Sequence, residues 1–327
     1  MDRRTFIGAV AAEMIAAPFA TSAQTATTVR RIGVLSSGVR ETEADLQAQA
    51  EPLRALGWVE GWNLLVERRY ANGRYELLRP LAEELVRLKV EIIVTGGTAA
   101  TLAAKSATTT IPIVFFVGDP VLTGLVASLS RPGGNITGFS TVGPEIDAKR
   151  LALLRELLPG LQRVGVLENS VSPYYRAARK EFEQTCRSVG LQPIFVEVAA
   201  AGELENAIAE LARRRAQAVF VKGDLLFGDN RVPLIGTALR HALPVFASDS
   251  GRDMLEAGAL ASYAPTNAEL DQRYAAFVDR ILRGAKPTDL PIEQPTKFEL
   301  RINLKTAKAL GIAVPRTLLN RADEVIQ

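Results

Sequence analysis

The chain has 327 residues, 47% hydrophobic and 23% charged, which is enough apolar side chain for a large core and for about two domains. Lys plus Arg number 39 against 36 Asp plus Glu, a net charge of +3 without a dense basic block, so nucleic acid is not an expected partner. One cysteine, Cys186, and one histidine, His241, exclude an intramolecular disulfide, a thiolate zinc site and a multi-histidine metal site within one chain.

Residues 1–23 read as an export signal. They hold the Arg3-Arg4 pair, an apolar stretch too short to span a bilayer, and small residues before a candidate cleavage after Ala23. Arg3-Arg4-x-Phe6-Ile7 looks like a twin-arginine signal, with Asp2 where a hydroxyl residue is usual and Glu13 interrupting the apolar stretch. No cysteine lies near the cleavage point, and no later segment approaches about 18 uncharged apolar residues. The expectation is a periplasmic, monomeric protein with no lipid or membrane anchor.

Seven apolar runs follow: 32–35, 92–94, 113–117, 164–167, 194–196, 218–221 and 245–247. They lack polar alternation and so predict strands of parallel sheets covered on both faces. Between them the stripes Leu46/Ala50/Leu53, Leu81/Leu85/Leu88 and Leu151/Leu154/Leu158 predict amphipathic helices. A helix from Tyr174 to Val189 would bury Phe182 and Cys186, and one over 232–241 would place His241 near its C-terminus. A further stripe of Leu270, Tyr274, Phe277 and Ile281 begins at Thr266-x-x-Glu269, a capping box, and ends at Gly284.

This alternation predicts an α/β protein with two doubly wound parallel-sheet lobes. The turn signal at 131–135 and the strand-like 136–140 put a crossing between lobes around 137–143, and a second near Tyr263–Thr266. Lobe 1 is then 30–138 plus 266–294 and lobe 2 is 139–265. The C-terminal segment 295–327 has no lobe assigned by pattern.

Catalytic chemistry finds few carriers. His241 is the one possible imidazole base, no G-x-S-x-G accompanies it, and neither a Walker loop nor G-x-G-x-x-G is present. No catalytic residue, metal or cofactor is expected. Carboxylates are plentiful, but nothing selects a glycosidase pair among them.

Ligands of doubly wound sheets sit at the carboxyl ends of strands, so the residues there are the candidates. After the first strand come Ser36 and Ser37. Gly96-Gly97-Thr98-Ala99 then opens a helix whose free N–H groups would suit a carboxylate, and Gly118-Asp119-Pro120 offers a fixed negative charge for an ammonium. Glycines also serve simply to turn a chain, and Asp-Pro also starts helices. The second lobe offers Glu168-Asn169, Tyr174-Tyr175, Lys222-Gly223-Asp224, Phe246, Ser248 and Tyr263 as a polar and aromatic set.

With these segments in view, the chain closely resembles the ABC transporter substrate-binding proteins of the tryptophan/tyrosine-type family. The resemblance lies in Ile32–Ser36, Ile92–Ala100, Thr110–Val121, Ser130–Gly138 and Glu293–Asn303, most specifically in 95–99, 118–120 and 131–137. It implies a type I periplasmic-binding-protein fold, two lobes joined by hinge strands closing on a small-molecule ligand. It also implies no catalysis, and delivery to a separate permease and ATPase. Carried over, Ser37, Thr98 and Ala99 would hold a ligand carboxylate and Asp119 an amino group, while Asn169, Asp224, Phe246 and Tyr263 would close from the second lobe. Glu168 stands where an aromatic residue is common in the family; facing the cleft it would remove a stacking surface and disfavour an aromatic amino acid. A periplasmic sensory protein that presents ligand to a receptor, and an exported carbohydrate-active enzyme, are the alternative readings.

Overall fold

The computed structural model describes residues 29–327 except 142, 249 and 250, so the expected export signal lies outside the described residues. The apolar runs form strands of two sheets. The first holds β1 (Arg30–Ser36), β2 (Leu64–Tyr70), β3 (Ile92–Gly96), β4 (Ile113–Val117) and β5 (Ile136–Ser140), all parallel, in the order β2-β1-β3-β4-β5. Both faces are covered. Helices α1 (Glu43–Ala55) and α10 (Asn267–Leu282) bury Leu53, Phe277, Val278 and Ile281 against Ile32, Ile92, Val94 and Val114. On the other face α2 (Leu78–Arg87) and α3 (Thr98–Ala107) bury Leu78, Leu85, Ala100 and Ala104 against Leu35, Ile93, Ile113 and Phe115.

The second sheet has the order β12-β11-β10-β9-β8-β6-β7. Its strands are β6 (Arg163–Asn169), β7 (Gln192–Val198), β8 (Ala218–Val221), β9 (Val245–Ala247), β10 (Ala261–Ala264), β11 (Glu299–Asn303) and β12 (Glu324–Ile326), antiparallel only between β10 and β11. Around it lie α4 (Pro144–Leu157), α5 (Pro173–Ser188), α6 (Leu204–Arg213), α7 (Leu225–Asp229), α8 (Arg231–Arg240) and α9 (Gly251–Glu256). Strand pleating sorts each strand's side chains between two cores: Val219, Val221, Val245 and Ala247 face one, Phe220 and Phe246 the other.

Strand β5 stays in the first sheet to Ser140, two residues past the boundary expected from the sequence. The C-terminal segment joins the second sheet through β11 and β12. The chain therefore crosses between lobes three times, because Glu293 still bridges to β5 while Glu299 already pairs in β11. Glu293 anchors this third crossing through backbone bonds to Gly138 and Ser140, and its carboxylate accepts from Arg273 (2.7 Å) and Arg280 (3.0 Å) of α10.

The helix start at Thr266 is only half of the expected capping box. Thr266 Oγ1 accepts from Glu269 N at 3.1 Å, whereas the Glu269 carboxylate turns to Thr296 and Arg273. A full box forms instead at α1, where Thr42 and Asp45 bond reciprocally.

Candidate ligand-binding site

The carboxyl ends of β1, β3, β4, β6, β8 and β9 turn toward one another across the lobes and enclose a cavity of about 270 Å³. Lobe 1 contributes Ser37, the turn Gly96-Gly97-Thr98-Ala99, Phe116, Gly118 and, from the short 3-10 turn that leads into α2, Tyr75. Lobe 2 contributes Ser172, Tyr174, Lys222, Gly223, Asp224 and Ser248. Thr141, Pro265 and Asn267, at the first two crossings, complete the wall.

Gly97 is the N-cap of α3 at φ +83, a backbone that L side chains rarely adopt, and no side chain caps the helix. The first N–H groups of α3 and the positive end of its dipole are thereby directed at the cavity, as suits an anion. Opposite stands Asp224, the N-cap of α7, whose Oδ1 accepts from Leu226 N and Asn169 Nδ2, both at 2.9 Å. Desolvation pushes the Asp224 carboxyl up to about 6 against the stabilising bonds from Asn169 and Leu226.

Tyr75 and Asn169 join the lobes directly. Asn169 Nδ2 donates to Tyr75 Oη at 2.8 Å, and that hydroxyl also bonds the Ser37 side chain. A second cross-lobe bond runs from Val39 N to Asp229 Oδ2 at 2.9 Å. Behind Tyr174, the buried Lys222 ammonium lies 4.1 Å from the Phe182 ring centroid and 3.4 Å from Asp147. Asp147 in turn holds the buried Arg150, which donates to the carbonyls of Tyr263 (2.9 Å) and Ser248 (2.6 Å). This network fixes the ends of β9 and β10 beside the crossings.

Of the residues expected to bind ligand, Ser37, Gly97, Thr98, Ala99 and Asp224 line the cavity and five do not. Ser36 bonds its hydroxyl to Gly38 N and stays behind Ser37. Asp119 accepts from Val121 N and Leu122 N, both at 2.9 Å, so its carboxylate is committed to the turn it begins. Asn169 is consumed by the Tyr75–Asp224 link. Phe246 is mid-strand and fully buried, stacked on Phe220 at 5.8 Å; the pleat turns it into the core, and Ser248, past the strand end, reaches the cavity instead. Tyr263 stacks on Phe298 at 5.4 Å.

Glu168 also leaves the cleft. It shares a strand face with Val164 and Val166, pairs with Arg179 at 3.1 Å, and is pushed up to about 7 by burial against the opposing pull of Arg179 and Lys222. The cavity keeps its aromatic surface, supplied by Tyr75, Phe116 and Tyr174. Tyr174 was visible as a strand-end aromatic, but Tyr75 follows an unread polar edge strand and Phe116 looked like core.

The family model for the ABC transporter substrate-binding protein matches residues 42–326. The chain belongs to this family. Its type I periplasmic-binding-protein fold is shared with solved structures of the group. A conserved domain protein from Vibrio cholerae is 27% identical and superimposes with a TM-score of 0.84, over 91% of this chain and 100% of that one. The ABC domain in complex with L-Trp from Streptococcus pneumonia is 24% identical with a TM-score of 0.83 at the same coverages. A ligand-free, open substrate-binding protein from Clostridium difficile, 23% identical and equally covered, scores 0.62. Among curated proteins, the tyrosine-binding protein of Clostridioides difficile is 27% identical over 257 residues, 78% of this chain and 73% of that protein. The family is one of substrate-binding proteins and not of enzymes, and among the described residues no helix is long and apolar enough to cross a membrane.

Proposed function

We propose that this substrate-binding protein is the periplasmic component of an ABC importer and captures a free amino acid by closing its lobes. The carboxylate would rest on the first N–H groups of α3 at Thr98 and Ala99, and the ammonium on Asp224. The side chain would lie among Tyr75, Phe116 and Tyr174. One observation carries this reading: an uncapped helix N-terminus and an acidic side chain open onto the same cavity from opposite lobes, so a zwitterion bridges them. The L-Trp and tyrosine ligands in the names of two relatives support it, and so does the better superposition on the L-Trp complex than on the open structure. A contact to both lobes favours closure by its differential affinity for the closed form, and the permease and ATPase would then receive the cargo. The amino-group assignment moves from Asp119 to Asp224 because Asp224 lines the cavity opposite the α3 N-terminus and Asp119 does not.

Isothermal calorimetry with L-tyrosine and L-tryptophan, beside tyramine and 3-(4-hydroxyphenyl)propionate, tests the reading. Deleting either charged group should cost about 2–5 kcal/mol of binding free energy. Equal affinity for tyramine and tyrosine would remove the carboxylate cradle, and silence across all amino acids would remove the cargo class.

A further inference from the structure

Glycine at two positions of lobe 1 allows lobe 2 to seat directly on its backbone. A Cβ built on Gly118, at the end of β4, meets Tyr174 Cε2 at 2.6 Å, Cζ at 2.9 Å and Cδ2 at 3.0 Å; its three nearest neighbours all belong to that one ring of the other lobe. A Cβ on Gly38 meets Asp229 Oδ2 at 2.7 Å and Leu225 at 3.3 Å. Neither glycine has a positive φ, so the backbone itself accepts an L side chain at both.

The two seats differ in how far the opposing group can yield. Asp229 is exposed, and its carboxylate can swing away at the loss of its bond to Val39. The Tyr174 ring is buried and packs edge-on to Tyr175 at 5.6 Å, with the Lys222 ammonium 5.2 Å from its centroid. Lys222 is itself held by Asp147. The ring borders the cavity on one side but is held by Tyr175 and Lys222 elsewhere, so yielding to a Cβ disturbs that packing, and overpacked contacts of this kind force side-chain and backbone shifts.

We infer that Gly118 is the closure-setting residue of this protein: its missing side chain lets Tyr174 dock on lobe 1, which fixes the lobe separation and completes the aromatic wall of the cavity. This rests on the reading of lobes that open and close. The same glycine is therefore a specificity residue, because the distance from Tyr174 to β4 sets how thick a ligand the closed cleft holds. Gly38 is a weaker seat of the same kind.

The test traps the closed form without any ligand. Cysteines replacing Val39 and Asp229, which touch across the cleft, are joined by a short thiol-reactive cross-linker, and the trapping rate reports how often the lobes meet. Adding Gly118→Ala should slow trapping roughly tenfold, since an overpacked contact disfavours the closed state by about that factor or more. Adding Tyr174→Ala to that variant should restore the rate, and the melting temperature of the Gly118→Ala protein should match its parent. Trapping as fast as the parent overturns the assignment. So does slow trapping that Tyr174→Ala does not relieve, or a protein that fails to fold, since the glycine would then serve lobe 1 internally. Repeating the parent reaction with L-tyrosine and L-tryptophan separates the two readings: no acceleration by either removes the amino-acid cargo and leaves the Gly118 comparison intact.

Discussion

Asp224 carries a charge that the free protein holds at a cost. Its carboxyl is pushed up to about 6 by desolvation, above an unfolded value of about 3.8. Because the folded value is raised, the ionised form is disfavoured, and this group removes stability as pH rises from about 4 through 6. A ligand ammonium in contact with it reverses the balance by favouring the carboxylate. Affinity should then be flat above pH 7 and fall by about tenfold per pH unit below 6, since only the ionised form pairs. Asp224→Asn keeps a competent cap on α7 and removes the costly charge, so it should lose binding and the pH dependence together while melting at or above the parent's temperature at pH 7.5. Calorimetry at pH 7.5 and 5 on both proteins checks this; a pH-independent affinity in the parent excludes Asp224 as the ammonium partner. Asp119→Ala, by contrast, should leave affinity unchanged and cost only about 1 kcal/mol of stability for the lost turn bonds. The sequence pointed to Asp119 for the amino group and gave Asp224 only a place in the closing lobe. Both cap a turn with one carboxylate oxygen, and which of them also borders the cavity depends on how the lobes meet, which residue type does not reveal.

At the scale of elements, the continuous apolar runs were legible because parallel strands buried on both faces need no alternation, and all seven lie in strands. The polar edge strand β2 was not. β2 carries Glu67, Arg68 and Arg69, with Arg68 bound to Glu60 through both terminal nitrogens (2.7 and 2.8 Å), and so reads as polar loop. The strand that best defines the site is β3, whose exit into α3 passes through Gly97 at φ +83 and ψ 156. The space around a Cβ there is open, with Ser37 Oγ at 3.9 Å as its nearest neighbour, so the cost of Gly97→Ala is one of backbone conformation alone. That cost is about 1–3 kcal/mol, and relaxing it would tilt the first turn of α3 away from the cavity. The variant should lose at least about tenfold in amino-acid affinity. A thermal melt paired with a binding isotherm checks this: lowered stability with intact affinity would show that the α3 N-terminus does not hold the carboxylate.

For the whole molecule, the alternation of elements made two lobes legible but not the number of passages between them. The third crossing follows from β11 and β12 joining the second sheet, a long-range pairing that local pattern does not encode. Each sheet has its own pair of cores, and no core cluster mixes residues of the two sheets. Among the described residues the direct ties between the lobes beyond the crossings include the Tyr75–Asn169 and Val39–Asp229 bonds, the two glycine seats and the approach of α3 to α5. Two lobes that share no core should unfold as separate cooperative units. Scanning calorimetry of the free protein is therefore expected to give a calorimetric enthalpy larger than the van't Hoff enthalpy. A bound amino acid touching Thr98 in one lobe and Asp224 in the other must be released before either can unfold. At about 100 times its dissociation constant it adds roughly 2.7 kcal/mol to that shared step. The two enthalpies should then converge and both components should move to higher temperature together. A ligand that shifts only one component would be bound by one lobe, and the bridging geometry would fall with it.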